Sequence, residues 1–259
     1  MSDAIDWSAV FNQVFSVDPS DVQDKIWRES FGDEYPDEVR PYSYITRSEL
    51  AQFVEEMKVD SHSTVLDIGC GRGGPGLWIA AMTGASIIGV DISTSALSSA
   101  RERAAELGLT SRVTYELGDF AAIPVPSNSA DALMSIDALL FAPDKRSALV
   151  EISRVLRPGG RFVATTWDYH TQPKGRPPQV PDHRPLLVNT GFEVLRYEET
   201  HNWRHYMERT NALTLERVVD LAREEGVTED EVRAGITEMV ETYATMIQRV
   251  LIVAQKPTT

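Results

Sequence analysis

Three glycines in the stretch VLDIGCGRGGPG have the spacing of a nucleotide-binding loop. Gly69, Gly71 and Gly74 match the pattern G-x-G-x-x-G and follow the predicted strand TVLDIG. Glycine permits positive φ and has no side chain, so the backbone of such a loop can approach a ligand closely. The same spacing is found in dinucleotide folds, and an NAD(P)-dependent oxidoreductase is therefore one hypothesis.

Acidic residues at three neighbouring strands indicate an adenosine-type ligand. Asp67 lies inside the first strand, where a buried carboxylate is costly and suits a cationic or amine-bearing ligand better than an anionic pyrophosphate. Asp91 ends the second strand about 20 residues later, at the position that binds ribose hydroxyls. In GDF at 118–120, Asp119 can accept a hydrogen bond from an exocyclic amine, and Phe120 can present its backbone N–H to an adenine ring.

The elements that position these residues alternate between strand and helix patterns. Seven short apolar runs predict strands at 64–69, 86–92, 112–117, 130–136, 161–167, 192–199 and 249–255. This alternation predicts an α/β fold with a mostly parallel sheet and helices on both faces. Open sheets of this kind bind ligands at the carboxyl ends of their strands, where the glycines and aspartates lie.

Helical segments flank the predicted sheet on both sides along the chain. Capping boxes at Thr46–Glu49 and Thr228–Glu231 predict the starts of two amphipathic helices. A pair of helices interrupts the strand pattern before the last strand, so we predict an insertion there. The predicted organisation is one domain with four parts: a helical N-terminal cap (1–60), a ligand-binding core (61–206), a helical insertion (207–248), and the last strand and tail (249–259).

Composition limits the partners of the protein. The 259 residues include 39 acidic and 25 basic ones, giving a net charge of −14, which disfavours binding to nucleic acid or anionic membranes. Cys70 is the one cysteine, so no intrachain disulfide can form. The sequence has no apolar run of about 18 residues and no secretory pattern at its start. We therefore expect a cytoplasmic protein.

Five motifs in a fixed order resemble those of a class I S-adenosylmethionine-dependent methyltransferase. They are VLDIGCGRGGPG (65–76), GVDIS (89–93), ELGDF (116–120), ADALMSIDAL (130–139) and LRPGGRF (156–162). The resemblance covers residues 62–168 and is greatest to the small-molecule and ubiquinone-biosynthesis-like group. It implies a Rossmann-like, seven-stranded, mostly parallel sheet with an antiparallel last strand. The implied cofactor is S-adenosyl-L-methionine, and the implied product is S-adenosyl-L-homocysteine.

The resemblance also implies a cofactor site. Its residues would be Asp67, Gly69, Gly71, Asp91, Ile92, Asp119 and Phe120. Within that site, Asp67 would order the glycine loop and indirectly hold the α-amino group. Asp91 would bind both ribose hydroxyls, and Ile92 would pack on the adenine face.

Candidate acceptor-side residues follow the fourth and fifth strands. Methyl transfer is an in-line displacement that depends mainly on positioning, but a hydroxyl or carbon acceptor usually needs a base. Asp137 is a candidate to orient or deprotonate the acceptor, or else a loop or helix-capping carboxylate. His170 is a second candidate base, because histidine is the residue type that suits proton transfer near neutral pH, or else an exposed loop residue. Tyr42, Tyr44 and Trp167 are candidate substrate-binding residues.

Two further features of the sequence are a pair of histidines and one arginine. His201 and His205 in HNWRH have i, i+4 spacing, but no carboxylate completes a recognised metal motif, so we predict no metal site. Arg47 is a candidate partner for the cofactor carboxylate.

Three hypotheses for the function are open at this point. The first is methylation of an O, N or C atom of a small organic metabolite, such as a natural-product intermediate. The alternatives are the oxidoreductase and a non-methylating cyclase or binding protein of the same fold. The sequence does not determine the oligomeric state.

Overall fold

Seven strands form a single sheet in the computed structural model, which describes residues 5–258, and their order is β3-β2-β1-β4-β5-β7-β6. The strands are β1 (Thr64–Ile68), β2 (Ser86–Asp91), β3 (Val113–Leu117), β4 (Ala130–Ile136), β5 (Leu156–Tyr169), β6 (Glu193–Glu199) and β7 (Met246–Gln255). β7 pairs antiparallel with β5 and β6, and the pairs among β1 to β5 are parallel. The predicted mostly parallel sheet with an antiparallel last strand is confirmed.

Helices pack on both faces and beyond the ends of this sheet. They are α1 (Trp7–Val14), α2 (Asp21–Phe31), α3 (Arg47–Met57), α4 (Gly74–Thr83), α5 (Thr94–Glu106), α6 (Lys145–Val155), α7 (Arg184–Asn189), α8 (Trp203–Glu216), α9 (Val218–Glu225) and α10 (Glu229–Tyr243). Apolar side chains from α3, α4 and α5 cover one face, and those from α6 and α7 cover the other. Each face of the sheet thus buries its own apolar layer, as the α/β pattern predicts.

Local signals in the sequence set several helix ends. Thr46 and Glu49 form a reciprocal capping box at the start of α3, and Thr228 and Glu231 form another at the start of α10. Each box satisfies two backbone N–H groups that would otherwise lack partners. Pro75 occupies the first turn of α4, where a missing N–H costs nothing.

Other element bounds differ from those predicted. The proline and glycines of RPGG (157–160) predict the end of a helix there, but α6 ends at Val155 and β5 already begins at Leu156. Leu156 pairs with Ala130 of β4, so sheet pairing extends the strand into this turn-like segment. The insertion contains three helices rather than a pair, and it begins at Trp203. β7 starts at Met246, three residues before the predicted strand, because Met246 pairs with Tyr169 at the end of β5.

A third group of apolar residues lies around the end of β5 and the start of β7, and we call it the aromatic cluster. It joins the cap helix α2 and the insertion helix α8 to these strands. Its buried members are Phe31, Tyr35, Tyr44, Leu140, Trp167, Tyr169, Trp203, Tyr206, Met207 and Met246, with Trp27, Phe141 and Tyr243 packed against them.

The last insertion helix is less buried than its pattern predicts. The apolar side chains on one face of α10 are Val232, Ile236, Met239, Val240 and Tyr243. None of them is fully buried, and Val240 is 52% exposed. The helix packs mainly on α9, which explains this exposure. No helix within residues 5–258 is both long and apolar enough to cross a membrane.

Candidate functional site

The glycine loop connects β1 to α4 and needs glycine at its first two motif positions. Gly69 and Gly71 have φ angles of +74° and +52°, in the left-handed region that side chains rarely occupy. A Cβ atom on Gly69 would lie 2.3 Å from the Cβ of Ala138, in the turn after β4. The loop is held to β2 by hydrogen bonds from the amides of Gly69 and Cys70 to the carbonyl of Val90. The loop backbone is thereby fixed close to the turn after β4.

Asp67 is a buried carboxyl group that no cationic side chain of residues 5–258 pairs with. Its side chain is 2% exposed, and no hydrogen bond from residues 5–258 reaches Oδ2. Burial, followed by the negative charge of Asp91, raises the pKa of Asp67 to about 8. Gly76 of α4 lies so close that a Cβ there would be 2.9 Å from Oδ2. A positively charged ligand group near this loop would reduce the cost of ionising the buried carboxyl.

Asp91 joins the glycine loop to the end of β2. Its Oδ2 accepts the amide of Gly71 at 2.8 Å, and its Oδ1 accepts the amide of Ser93 at 2.9 Å. Burial raises the pKa of Asp91, and these amide hydrogen bonds oppose the rise. Ile92 is half-buried beside it. Each carboxylate oxygen keeps a lone pair for a ligand hydroxyl, because an ionised carboxylate accepts about four hydrogen bonds.

Asp119 and Phe120 follow β3 on the same edge of the sheet. Asp119 is exposed, and its Oδ1 accepts the amides of Ala121 and Ala122 at 2.8 and 3.0 Å. Phe120 is buried in the apolar layer on the α6 side of the sheet. Asp91 is in register with Leu117 across the β2–β3 pair. Parallel pairing therefore brings the three predicted acidic positions to one edge.

Helix α1 covers this edge of the sheet. The hydroxyl of Ser8 donates to the carbonyl of Ile92, and the Asn12 side chain accepts from Thr94 and from the amide of Ser95. Phe15, which follows α1, lies 3.5 Å from where a Cβ of Gly71 would be. Asn12 gave no sign of this role in the sequence, since its partners are about 80 residues away.

Asp137 is held in a buried ion-pair network rather than left free. Its carboxylate accepts from Nε and Nη2 of Arg249 at 2.9 and 3.1 Å, and from the amide of Tyr44 at 3.0 Å. Arg249, which is 1% exposed, also donates to Glu49 at 2.7 Å and to Thr200 at 3.1 Å. The general-base prediction for Asp137 is therefore revised, because both of its oxygens serve structural partners.

Tyr44 and Trp167 lie side by side in the aromatic cluster. Tyr44 is 8% exposed, and its hydroxyl is 2.7 Å from that of Tyr243. Burial, together with Tyr243, raises the pKa of Tyr44 well above its ordinary value. The guanidinium of Arg249 lies 5.6 Å from the centre of the Trp167 ring, and the indole N–H finds no acceptor among residues 5–258. The structure thus combines an apolar wall with one unused hydrogen-bond donor.

Tyr42 and His170 lie outside this buried wall. Tyr42 is 62% exposed and contacts Phe15 edge-on, with ring centres 5.4 Å apart. His170 is exposed, and its Nε2 is 2.8 Å from the carbonyl of Ala244. A ring nitrogen in contact with a carbonyl must carry a proton to form a hydrogen bond, so a neutral His170 ring in this arrangement has its acceptor lone pair on Nδ1. His170 thus stays a predicted base that would act through Nδ1.

The chain matches a family model described as "Methyltransferase domain" over residues 59–211, which is more than half of its length. It belongs to this methyltransferase family. The resemblance to class I S-adenosylmethionine-dependent methyltransferases is confirmed at this level, whereas the ubiquinone-biosynthesis-like subgroup stays a prediction.

Two relatives, which have different names, are similar to about half of this methyltransferase chain. Methyltransferase GfsG of Streptomyces halstedii is 36% identical over 128 residues, which cover 49% of this chain and 46% of GfsG. A sterol 24-C-methyltransferase of Pneumocystis carinii (strain B80) is 31% identical over 170 residues, covering 56% of this chain and 45% of the relative. The chain thus spans less than half the length of these relatives.

The fold of the methyltransferase chain is also similar to a solved structure. The [4+2]-cyclase SpnF superposes with a TM-score of 0.74 at 23% identity, and the match covers 97% of both chains. Identity this low supports a shared fold only.

Two further candidates from the sequence, Arg47 and the pair His201 and His205, have other surroundings in the methyltransferase structure. Arg47 donates to Glu38 at 3.0 Å and to the carbonyl of Tyr35 at 3.1 Å, so its side chain is already engaged. His201 precedes α8, which begins at Trp203, so the i, i+4 helical face is not formed. Within residues 5–258, no group of three or more His, Cys, Asp or Glu side chains is arranged for a metal ion.

The buried ion-pair network contains two residues that sequence reasoning missed. Arg249 opens the apolar run RVLIVAQ, and Glu49 is the capping-box residue of α3. A charged residue entering an apolar strand is the one signal that pointed to Arg249. Glu49 had no such signal, because its capping role fully explained it.

Proposed function

We propose that this protein binds S-adenosyl-L-methionine at the carboxyl edge of β1, β2 and β3. It transfers the methyl group to a small organic molecule and releases S-adenosyl-L-homocysteine. The observation that carries the proposal is the joined arrangement of the glycine loop, the buried unpaired Asp67 and the Asp91 carboxylate that holds Gly71. When bound, the sulfonium of the cofactor supplies an activated methyl group.

The residues at this edge suit each part of that cofactor. Gly69 and Gly71 let the backbone approach the methionine and ribose portions, while Asp91 offers its remaining lone pairs to the ribose hydroxyls. Ile92 packs against the adenine ring. Asp119 accepts from the adenine amine, with the backbone of Phe120 beside it.

The acceptor is proposed to bind between the glycine loop and the aromatic cluster. The turn after β4 links the two, because Ala138 contacts Gly69 and Asp137 binds the amide of Tyr44. Tyr44 and Trp167 form an apolar wall that packs the acceptor and excludes water, and Tyr42 lies at its open side. Holding the acceptor atom in line with the methyl group is the main contribution to catalysis, worth roughly 7–11 kcal/mol in such systems.

Asp137 is proposed as a positioning residue. Asp137→Asn keeps the shape of the side chain but weakens its ion pair with Arg249. We expect the KM for the acceptor to rise several-fold, with the pH dependence of kcat unchanged. Loss of the acidic limb of the pH profile would instead restore the general-base hypothesis.

A small-molecule acceptor is supported by the net charge of the protein and by the aromatic side chains at the proposed acceptor site. The net charge of −14 disfavours nucleic acid and anionic membranes as partners. The buried wall is formed by aromatic side chains, which suit an apolar metabolite with an O, N or C acceptor atom. A cytoplasmic location fits the single cysteine, and it is proposed on that basis.

The experiment that tests the function uses isotope-labelled cofactor. The protein is incubated with trideuteromethyl-labelled S-adenosylmethionine and small-molecule extracts of the source cells, and products are compared by mass spectrometry. The proposal predicts a metabolite that gains one labelled methyl group. S-adenosylhomocysteine binding without any labelled product would favour a cyclase or binding protein. Binding of NADPH but not of S-adenosylhomocysteine would favour the oxidoreductase.

A further inference from the structure

Arg176 lies at the junction of the acceptor side and the covering helix α1. It belongs to the segment 170–183, which connects β5 to α7. Its guanidinium carbon is 5.0 Å from the ring centre of Trp7 in α1 and 4.8 Å from that of Phe141. Aromatic rings at this distance attract the cation and limit its orientations. The side chain is therefore held at the mouth of the proposed acceptor site.

The charge of Arg176 has no counterion within residues 5–258. No carboxylate oxygen of residues 5–258 lies within 4.0 Å of its nitrogens, although its side chain is largely shielded from water. Burial lowers the pKa of Arg176, against the smaller influences of Tyr169 and of the more distant Glu238. Arg249, the other buried arginine of this region, is fully paired with Asp137 and Glu49.

A second polar group beside Arg176 is also unused. Tyr169 ends β5, is 3% exposed, and its hydroxyl has no hydrogen-bond partner among residues 5–258. Its ring belongs to the aromatic cluster. A guanidinium whose N–H groups have no acceptor among the described residues and a buried hydroxyl thus border the same apolar wall. This combination fits a molecule with an apolar body and one anionic end.

We propose that Arg176 binds a carboxylate of the methyl acceptor, so that the acceptor is an amphipathic organic acid. The inference rests on the proposed function. Guanidinium groups form paired, charge-assisted hydrogen bonds with carboxylates, and these are stronger than neutral ones. The rings of Trp7 and Phe141 already fix the orientation of the guanidinium, so less side-chain entropy is lost on binding.

The segment that carries Arg176 is anchored at both ends. Asp168, just before it, accepts from Nδ1 of His183 at 2.9 Å and from the hydroxyl of Tyr197 at 2.6 Å. Its second oxygen accepts from Gln248 at 2.8 Å. Asp168 and His183 are both fully buried, so this polar group is shielded from water. The anchor holds the segment against the sheet and presents Arg176 in a defined position.

The test measures binding of model acids to the protein loaded with S-adenosylhomocysteine. Hexanoate, decanoate and tetradecanoate are each compared with the corresponding primary amide by calorimetry. The variants are Arg176→Met and Arg176→Lys, and the matched control is Arg184→Met. Arg184 lies over the Tyr197 ring at 4.9 Å but is already paired with Asp182.

We expect the wild type to bind at least one acid about tenfold more tightly than the corresponding amide. A factor of this size corresponds to one charge-assisted hydrogen bond. The preference is lost in Arg176→Met, partly kept in Arg176→Lys, and unchanged in Arg184→Met. Equal binding of every acid and its amide by the wild type, or a preference that survives in Arg176→Met, overturns the inference.

The carboxylate of the cofactor is the other anionic group that could reach Arg176. If Arg176→Met weakens S-adenosylhomocysteine but not 5′-methylthioadenosine, which lacks the carboxylate, Arg176 binds the cofactor and the inference is overturned. Failure of S-adenosylhomocysteine to bind the wild type would contradict the proposed function itself. That failure is distinct from normal cofactor binding without acid preference, which contradicts only the role of Arg176.

Discussion

The glycine loop and the carboxylate that holds it come from two motifs close together in the chain, whereas the acceptor side depends on side chains that meet across the whole chain. Gly71 and Asp91 are 20 residues apart, and each lies at the end of a parallel strand. Arg249 meets Asp137 over 112 residues and Glu49 over 200. One region follows from neighbouring motifs, and the other exists only once the fold is complete.

This contrast explains how one fold can serve different acceptors. The turn between β1 and α4 is restricted by positive φ angles and by close contact with Ala138, so few substitutions fit there. The aromatic cluster is assembled from α2, α8, β5 and β7, and its side chains can change without altering the loop. Recognition of the acceptor can therefore vary while the cofactor edge is kept.

The largest expected effect is the pH dependence of stability that results from Asp67 at the cofactor edge. The raised pKa of Asp67 favours the neutral carboxyl, so its contribution to stability is present below pH 3.8 and is lost as pH rises through about 8. The measured quantity is the difference in free energy of unfolding between the cofactor-free wild type and Asp67→Asn. Across this window the wild type should lose at most about 6 kcal/mol relative to the variant. Denaturant unfolding at a series of pH values measures it, and a constant difference would contradict it.

The next effect tests whether the acceptor side depends on long-range pairing. Arg249→Met leaves Asp137 and Glu49 as buried charges without a counterion, which should lower the free energy of unfolding by about 3–5 kcal/mol. Arg196→Met is the control, because the Arg196–Glu56 pair is partly exposed and is worth about 1 kcal/mol or less. Similar losses in both variants would show that the buried network has no special role.

A third prediction tests the carboxylate that joins the glycine loop to β2. Asp91→Ala removes the acceptor of the Gly71 and Ser93 amides and the proposed ribose contacts, so S-adenosylhomocysteine should bind about 100-fold more weakly. Calorimetry gives the two dissociation constants. Glu116→Gln, an exposed position on the neighbouring strand, should leave the affinity unchanged. An Asp91→Ala affinity within about twofold of the wild type would remove Asp91 from the site.

The smallest effect tests the backbone restriction of the glycine loop. Gly69→Ala places a Cβ 2.3 Å from that of Ala138 at a positive φ, and should lower the free energy of unfolding by about 1–3 kcal/mol. Gly235→Ala is the matched control, because Gly235 lies in α10 with open space around it and alanine favours a helix there. Gly69→Ala as stable as the wild type would mean that the loop can move away from the turn after β4.

Much of the cofactor edge could be predicted because its signals are local. Asp67, Gly69 and Gly71 lie in one motif, and Asp91 follows at a spacing set by one helix between two parallel strands. The helix starts at Thr46 and Thr228 were also predictable, since a capping box needs only four neighbouring residues. These features depend on contacts that the chain makes with itself over short distances.

The sequence by itself determined the α/β class, the family, the glycine loop and the three acidic strand ends, through periodicity and motif spacing. Only the tertiary structure decided that Asp137 is bound by Arg249, that Ser8 of α1 donates to the carbonyl of Ile92 and that Arg176 lies over Trp7 and Phe141. The partner of a buried charge is chosen by the packing of distant elements. No spacing along the chain encodes that choice.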